Sequence, residues 1–151
     1  MKIKFLGLSI LICVICLNNI TYGQTTRKSQ QPVASSTAGL DFLNSYKGKY
    51  PAEVKLLNQP VIKKRLQKLL GTEYTFLKKI WQVESPIEID NGLFYAWAMQ
   101  AHQGGNPGAV IMADIKKNIL YVGIRKNGEE KFYSEDGSPS PKKMIEWANE
   151  Q

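Results

Sequence analysis

The sequence predicts an α+β fold: an antiparallel β-meander of four to five strands with short flanking helices. Two observations favour it. Apolar residues recur at helical spacing between residues 60 and 81, and the spacing then changes to the period of two that is typical of strands. Short turn sequences divide the later segment, which ends in one more helical stretch. Strands joined by tight turns and grouped apart from the helices define an α+β plan.

The clearest predicted helix covers residues 60–71. Pro60 suits a first helical turn, and Gly71 suits the position after the last turn. Its apolar residues share one helical face: Ile62, Leu66, Leu69 and Leu70. Its basic residues are expected on the opposite, solvated face: Lys63, Lys64, Arg65 and Lys68.

Two shorter helices are predicted. One runs from Thr72, which can cap it, through Trp81. Its inward side chains are expected to be Phe76, Leu77 and Ile80. The other covers residues 142–148, after Pro139 and Pro141. Four of its side chains are expected to pack on the sheet: Met144, Ile145, Trp147 and Ala148.

Strands are predicted at residues 86–90, 93–100, 109–115, 119–125 and 129–134, the first of them at an edge of the sheet. The Asn-Gly pairs at 91–92 and 127–128 favour two-residue hairpin turns, and residues 116–118 form a third turn. One connection is longer, and it carries His102, the only histidine. An imidazole on a loop held by two strands is placed to meet something outside the protein.

The chain is expected to divide into three segments. Residues 1–23 combine a basic start with an apolar run and resemble a secretory signal peptide, cleaved near Gly23, so the protein is expected to be exported and periplasmic or secreted. Residues 24–39 are rich in Ser, Thr and Gln and are expected to form a disordered tether. Residues 40–151 are expected to form a single domain. No membrane span is expected.

Composition argues against several function classes. Both cysteines, Cys13 and Cys16, lie in the predicted signal peptide, so the mature chain has no thiol nucleophile and too few ligands for a zinc site. No metal or other cofactor is expected. The net charge is +7, and the basic run of the first helix, continued by Lys78 and Lys79, could bind phosphate polymers. A solvated helix face is the favoured interpretation, and no nucleic-acid partner is expected.

A hydrolase is a weaker hypothesis. Carboxylate pairs of the kind that glycosidases use could be drawn from Glu84, Glu88 and Asp90. Glu88 and Asp90 share one face of a predicted strand, where alternating charges usually mark the solvated side. The protein is therefore not expected to be an enzyme.

The region around His102 resembles a known family. The segments that carry the resemblance are Trp97-Ala98-Met99-Gln100-Ala101-His102-Gln103-Gly104-Gly105-Asn106, Val110-Ile111-Met112, Lys116-Lys117-Asn118 and Tyr121-Val122-Gly123. Together they are similar to the inhibitor of vertebrate lysozyme family of bacterial envelope proteins. The register fits without a gap: His102 falls on the family's inhibitory histidine and Gly105 on the glycine after its second loop cysteine.

The resemblance implies a lysozyme-inhibitor-like domain whose loop enters the cleft of a c-type lysozyme, with His102 between the two catalytic carboxylates. The lysozyme-binding loop would consist of Gln100, Ala101, His102, Gln103, Gly104 and Gly105. Met99 and Gly104 stand where the family has two cysteines, so this loop lacks the disulfide, and Gln103 replaces an acidic residue.

Two hypotheses remain open beside the hydrolase. The protein either inhibits a c-type lysozyme, or is a non-inhibitory envelope module of the same fold that recognises another protein, peptide or glycan. Whether it forms a homodimer, as some relatives do, is also open.

Overall fold

The computed structural model describes residues 39–150. The predicted signal peptide and residues 24–38 of the predicted tether lie outside the described residues, as does Gln151. Two 3-10 helices, Asp41–Tyr46 and Leu56–Asn58, come first. The α-helices are α1 (Pro60–Leu70), α2 (Glu73–Ile80) and α3 (Lys142–Asn149). The strands are β1 (Val83–Glu84), β2 (Glu88–Asp90), β3 (Leu93–Met99), β4 (Gly108–Asp114), β5 (Ile119–Lys126) and β6 (Glu129–Ser134).

All strand pairings are antiparallel, in the order β1, β3, β4, β5, β6, with β2 also paired to β3. The predicted fold class is confirmed. The edge differs in detail from the prediction, because β1 pairs with the end of β3 (Val83 with Met99) and β2 with its start (Glu88 with Tyr95). Pro86, which has no N–H to donate, lies between the two short strands.

The sheet is covered on both faces. The 3-10 helices, α1 and α2 pack on one face, against a cluster that includes Phe94, Ile111 and Val122. Helix α3 covers the other face through Met144 and Trp147. Because both its faces are buried, β4 has only Asp114 partly exposed.

The α3 side depends on a close approach at Gly123. A Cβ atom at this position would lie 2.8 Å from Val110 Cγ1 and 3.1 Å from the Trp147 ring. Because Gly123 has no side chain, the indole of Trp147 can pack directly on β5. The prediction that Ile145 also packs on the sheet is wrong, since 42% of it is exposed, whereas Ala148 is half-buried against the cluster.

Helix α2 departs from its prediction at its start. Thr72 directly precedes it but makes no side-chain capping hydrogen bond. Leu77 and Ile80 are buried as expected, and Phe76 is half-buried. Tyr74, which the periodicity did not select, is also buried, and its hydroxyl donates to the Leu57 carbonyl at 3.2 Å.

Arg65 on α1 is a further correction. Lys63, Lys64 and Lys68 are exposed as predicted, but Arg65 is only 6% exposed. Its guanidinium forms an ion pair with Glu135 and donates to the side-chain and backbone oxygens of Asn118, both at 2.7 Å. Glu135 also accepts from the Leu120 N–H at 2.7 Å. A buried arginine thereby connects α1 with the β4–β5 turn and the end of β6.

We expect Arg65→Ala to lower the free energy of unfolding by about 3 kcal/mol, because it leaves Glu135 and Asn118 without their cation in a largely buried site. Lys68→Ala, an exposed change on the same helix, is the matched control and should alter stability by less than about 0.5 kcal/mol. Urea unfolding of both variants measures the difference. Equal losses for the two would contradict a structural role for Arg65.

Candidate functional site

Residues 100–107 connect β3 to β4 and are called the His loop below. Pairing of the two strands extends to Met99 opposite Gly108, so the ladder reaches the base of the loop. One step further out, the Gln100 N–H donates to the Pro107 carbonyl at 3.1 Å. Inside the loop, the Asn106 N–H donates to the Gln103 carbonyl at 3.2 Å and closes a tight turn.

His102 lies in the exposed part of the loop. Its backbone is left-handed, with φ of 59°, a conformation that costs a residue other than glycine roughly 1 kcal/mol or more. No hydrogen bond or ion pair of its imidazole is found within residues 39–150. Its ring nitrogens are therefore available to an external partner.

The other predicted loop residues surround His102. Gln103 and Gly104 are exposed, whereas Gln100, Ala101 and Gly105 are half-buried. Gly104 and Gly105 have φ of 58° and 87°. Since residues 102, 104 and 105 are all left-handed, the chain reverses within a few residues and keeps 102–104 outermost.

A contact that sequence reasoning missed holds the base of the loop. The Gln82 side-chain carbonyl accepts from the Ala101 N–H at 3.1 Å, and its amide donates to the Lys79 carbonyl at 2.9 Å. The Gln82 backbone N–H also donates to the Met99 carbonyl at 3.3 Å. Gln82 thus connects the end of α2 to the loop. Its loop partner is 19 residues away, and no local pattern indicates the contact.

Gly108, the first residue of β4, also shapes the loop. A Cβ atom here would lie 2.7 Å from the Gly105 carbonyl oxygen, closer than real Cβ atoms approach backbone. The loop can therefore fold back over β4 only because residue 108 is glycine. Residue 108 lies just outside the strand predicted at 109–115, whereas the structure includes it in β4.

Beside the loop, on the α3 side, is a cavity of about 290 Å³, called the flank cavity below. Its walls include Trp97, Met99, Gly104, Arg125, Trp147 and Glu150. Met99 and Gly104, the positions where the resemblance places cysteines, thus both face this space.

Arg125 holds the end of α3 against the flank cavity. Its Nη2 donates to the carbonyls of Trp147, Ala148 and Glu150 at 3.1, 2.9 and 3.2 Å. Its Nε donates to Glu130 at 2.7 Å, and its guanidinium carbon lies 4.8 Å from the Trp147 ring centroid. A cation that binds the last carbonyls of a helix stabilises that helix end.

The carboxylates considered for a hydrolase have structural partners. Glu84 accepts from the Trp81 indole N–H at 2.7 Å and from the Ala52 N–H at 2.8 Å. Glu88 is ion-paired with Lys143, and Asp90 accepts from the Asn91 side chain at 3.1 Å. Each of the three carboxylates therefore has at least one partner among the described residues.

Residues 39–150 show neither a metal-binding cluster nor a membrane-spanning helix. They contain no group of three or more His, Cys, Asp or Glu side chains arranged to hold a metal ion. In the same part of the chain, none of the helices has both the length and the apolar character needed to cross a bilayer.

Searches of curated proteins and of solved structures found no match. A family model described as inhibitor of vertebrate lysozyme matches residues 61–151, which is more than half of the chain and includes the His loop, the whole sheet and α3. The resemblance carried by the segments around His102 is confirmed, and the chain belongs to the inhibitor of vertebrate lysozyme family.

Proposed function

We propose that this protein binds and inhibits a c-type lysozyme by inserting the His loop into the active-site cleft of the enzyme, with His102 reaching the catalytic carboxylates. The observation that carries the proposal is the placement of His102, an exposed imidazole that has no partner among residues 39–150, on a loop held by two core strands. Family membership supplies the class of partner.

The chemistry of lysozyme suits an imidazole. Its two catalytic carboxyl groups differ in protonation, one acting as an acid and the other remaining ionised, and retaining glycosidases hold such groups about 5 Å apart. A neutral imidazole has one N–H donor and one acceptor nitrogen. It can donate to the ionised group and accept from the protonated one while occupying the space of the sugar and water. Such inhibition requires no reaction by the inhibitor.

The loop contacts support the proposal despite the missing disulfide. Ordering a flexible side chain on binding costs about 0.5 to 1.5 kcal/mol, so a loop ordered beforehand binds more tightly. Gln82 holds the base of the His loop through its hydrogen bond with Ala101. The close approach of Gly108 to the Gly105 carbonyl restricts the path by which the loop enters β4. These contacts take over part of the restraint that the cysteines give other family members.

Export completes the proposal. The signal-like segment at residues 1–23 would carry the domain out of the cytoplasm, and the tether at residues 24–39 would leave the domain free to meet lysozyme in the envelope or outside the cell.

We expect His102→Ala to weaken inhibition of a susceptible c-type lysozyme by at least about 30-fold, since a buried central contact is worth about 2 kcal/mol or more. The inhibition constant of the purified protein, measured on a panel of c-type lysozymes, gives the result. His102→Asn keeps a residue that tolerates the left-handed backbone but removes the imidazole, and we expect a similar loss.

Asn91→Ala is the matched control, because Asn91 is also an exposed left-handed turn residue, with φ of 50°, but lies at the opposite end of β3. It should leave inhibition unchanged. If the wild-type protein leaves every c-type lysozyme active at micromolar concentration, the inhibitor proposal is wrong and the non-inhibitory module is favoured. If the two His102 variants inhibit as well as the wild type, only the role of His102 is wrong.

Gln82→Ala tests whether the base of the loop must be held. Loss of a hydrogen bond worth about 1 kcal/mol should weaken inhibition by about fivefold and speed exchange of the Ala101 amide proton. Gln67→Ala, at an exposed position on α1, serves as the control. Faster exchange with unchanged inhibition would show that loop order does not limit binding.

A further inference from the structure

The flank cavity has a distinctive chemical character beside the His loop. Three of its walls are apolar or aromatic: Trp97 and Met99 from β3 and Trp147 from α3. Two charged residues, Arg125 and Glu150, also line the cavity. Gly104 belongs to both the loop and the cavity wall, so a cleft that takes in the loop must bring one of its lips close to the cavity.

The charges in the flank cavity are not balanced. The guanidinium of Arg125 is neutralised by Glu130, and its Nη2 is occupied by the helix-end carbonyls. No ion pair or hydrogen bond of the Glu150 carboxylate is found among residues 39–150, and the residue is exposed. Glu150, which lines the cavity, therefore contributes a carboxylate that has no counter-ion among the described residues.

The position of Glu150 is fixed through its backbone. Its N–H donates to the Glu146 carbonyl at 3.1 Å, and its own carbonyl accepts from Arg125. The charge of Glu150 also affects a buried side chain. Burial raises the pKa of the Tyr95 hydroxyl, and the nearby carboxylate of Glu150 raises it further. Glu150 lines the flank cavity from the α3 side of the sheet.

A carboxylate next to indole rings is an arrangement that binds cations. A guanidinium or ammonium group can form a charge-assisted hydrogen bond with the carboxylate while lying against an aromatic face. The Trp147 ring already has Arg125 beside it. Trp97, which is half-buried, is the second ring of the cavity and can take a cation from outside.

We propose that the flank cavity receives a basic side chain from the lip of the lysozyme cleft that the His loop enters, with Glu150 as its counter-ion. The inference rests on the proposed function and adds a second contact point to it. Glu150 then supplies, from the end of α3, a negative charge near the loop, where Gln103 replaces the acidic residue of other family members.

The test measures inhibition of a c-type lysozyme by the full protein with Glu150→Gln, at about 0.02 M and about 0.5 M salt. The variant keeps the backbone contacts and removes only the charge. We expect the inhibition constant to rise about fivefold at low salt, with a smaller difference at high salt where the charges are screened. Glu150→Lys should weaken inhibition more, since it opposes the basic group directly.

Glu146→Gln is the matched control, one helical turn earlier, exposed, and paired with Lys142 rather than with the cavity. It should leave inhibition unchanged. Equal inhibition by wild type and Glu150→Gln at both salt concentrations would overturn the inference while leaving the proposed function standing. So would a loss with Trp97→Ala that Glu150→Gln does not share, because the cavity would then take an apolar group. Absence of inhibition by the wild type would reject both proposals.

Discussion

The antiparallel pairing of β3 with β4 is the constraint on which the site depends. Seven consecutive residue pairs, from Leu93 with Asp114 to Met99 with Gly108, join the two strands, and β4 is buried between the helical layers. Moving the base of the His loop would require slipping a strand whose side chains are packed on both faces. Because a slip by one residue would exchange those faces, the core fixes the position of the loop.

The Arg65–Glu135 ion pair and the His loop lie at opposite ends of the sheet. At one end, the buried ion pair of Arg65 and Glu135 connects α1 with the β4–β5 turn and β6. At the other end, the His loop projects from the ladder, and Arg125 brings the end of α3 beside it. Stability and the proposed recognition of lysozyme therefore depend on different residues. The left-handed backbone of His102, unfavourable for folding, lies where packing demands little and where the proposed contact with lysozyme would be made.

Local patterns predicted most of the fold. The Asn-Gly turns, the helical spacing of apolar residues and the period of two predicted α1 to α3 and the four longer strands within one or two residues, whereas the two 3-10 helices before α1 were not predicted. Long-range contacts could not be predicted in this way. Arg65 belonged to a basic run that suggests a solvated face, and its partner Glu135 lies 70 residues further on. The contacts of Gln82 and the flank cavity could not be predicted for the same reason, since the residues that form them are far apart in the sequence and meet only in the folded chain.

We propose that the His loop occupies the saccharide-binding cleft of a c-type lysozyme, so a saccharide in that cleft should exclude the loop. Competition with a chitooligosaccharide tests it most directly. Binding of the protein to a susceptible lysozyme is measured at increasing saccharide concentration, for example by titration calorimetry. Insertion of the loop into the cleft predicts mutually exclusive binding, with an apparent Kd that rises in proportion to saccharide once the cleft is saturated. An apparent Kd that stays constant in saturating saccharide would contradict insertion of the loop.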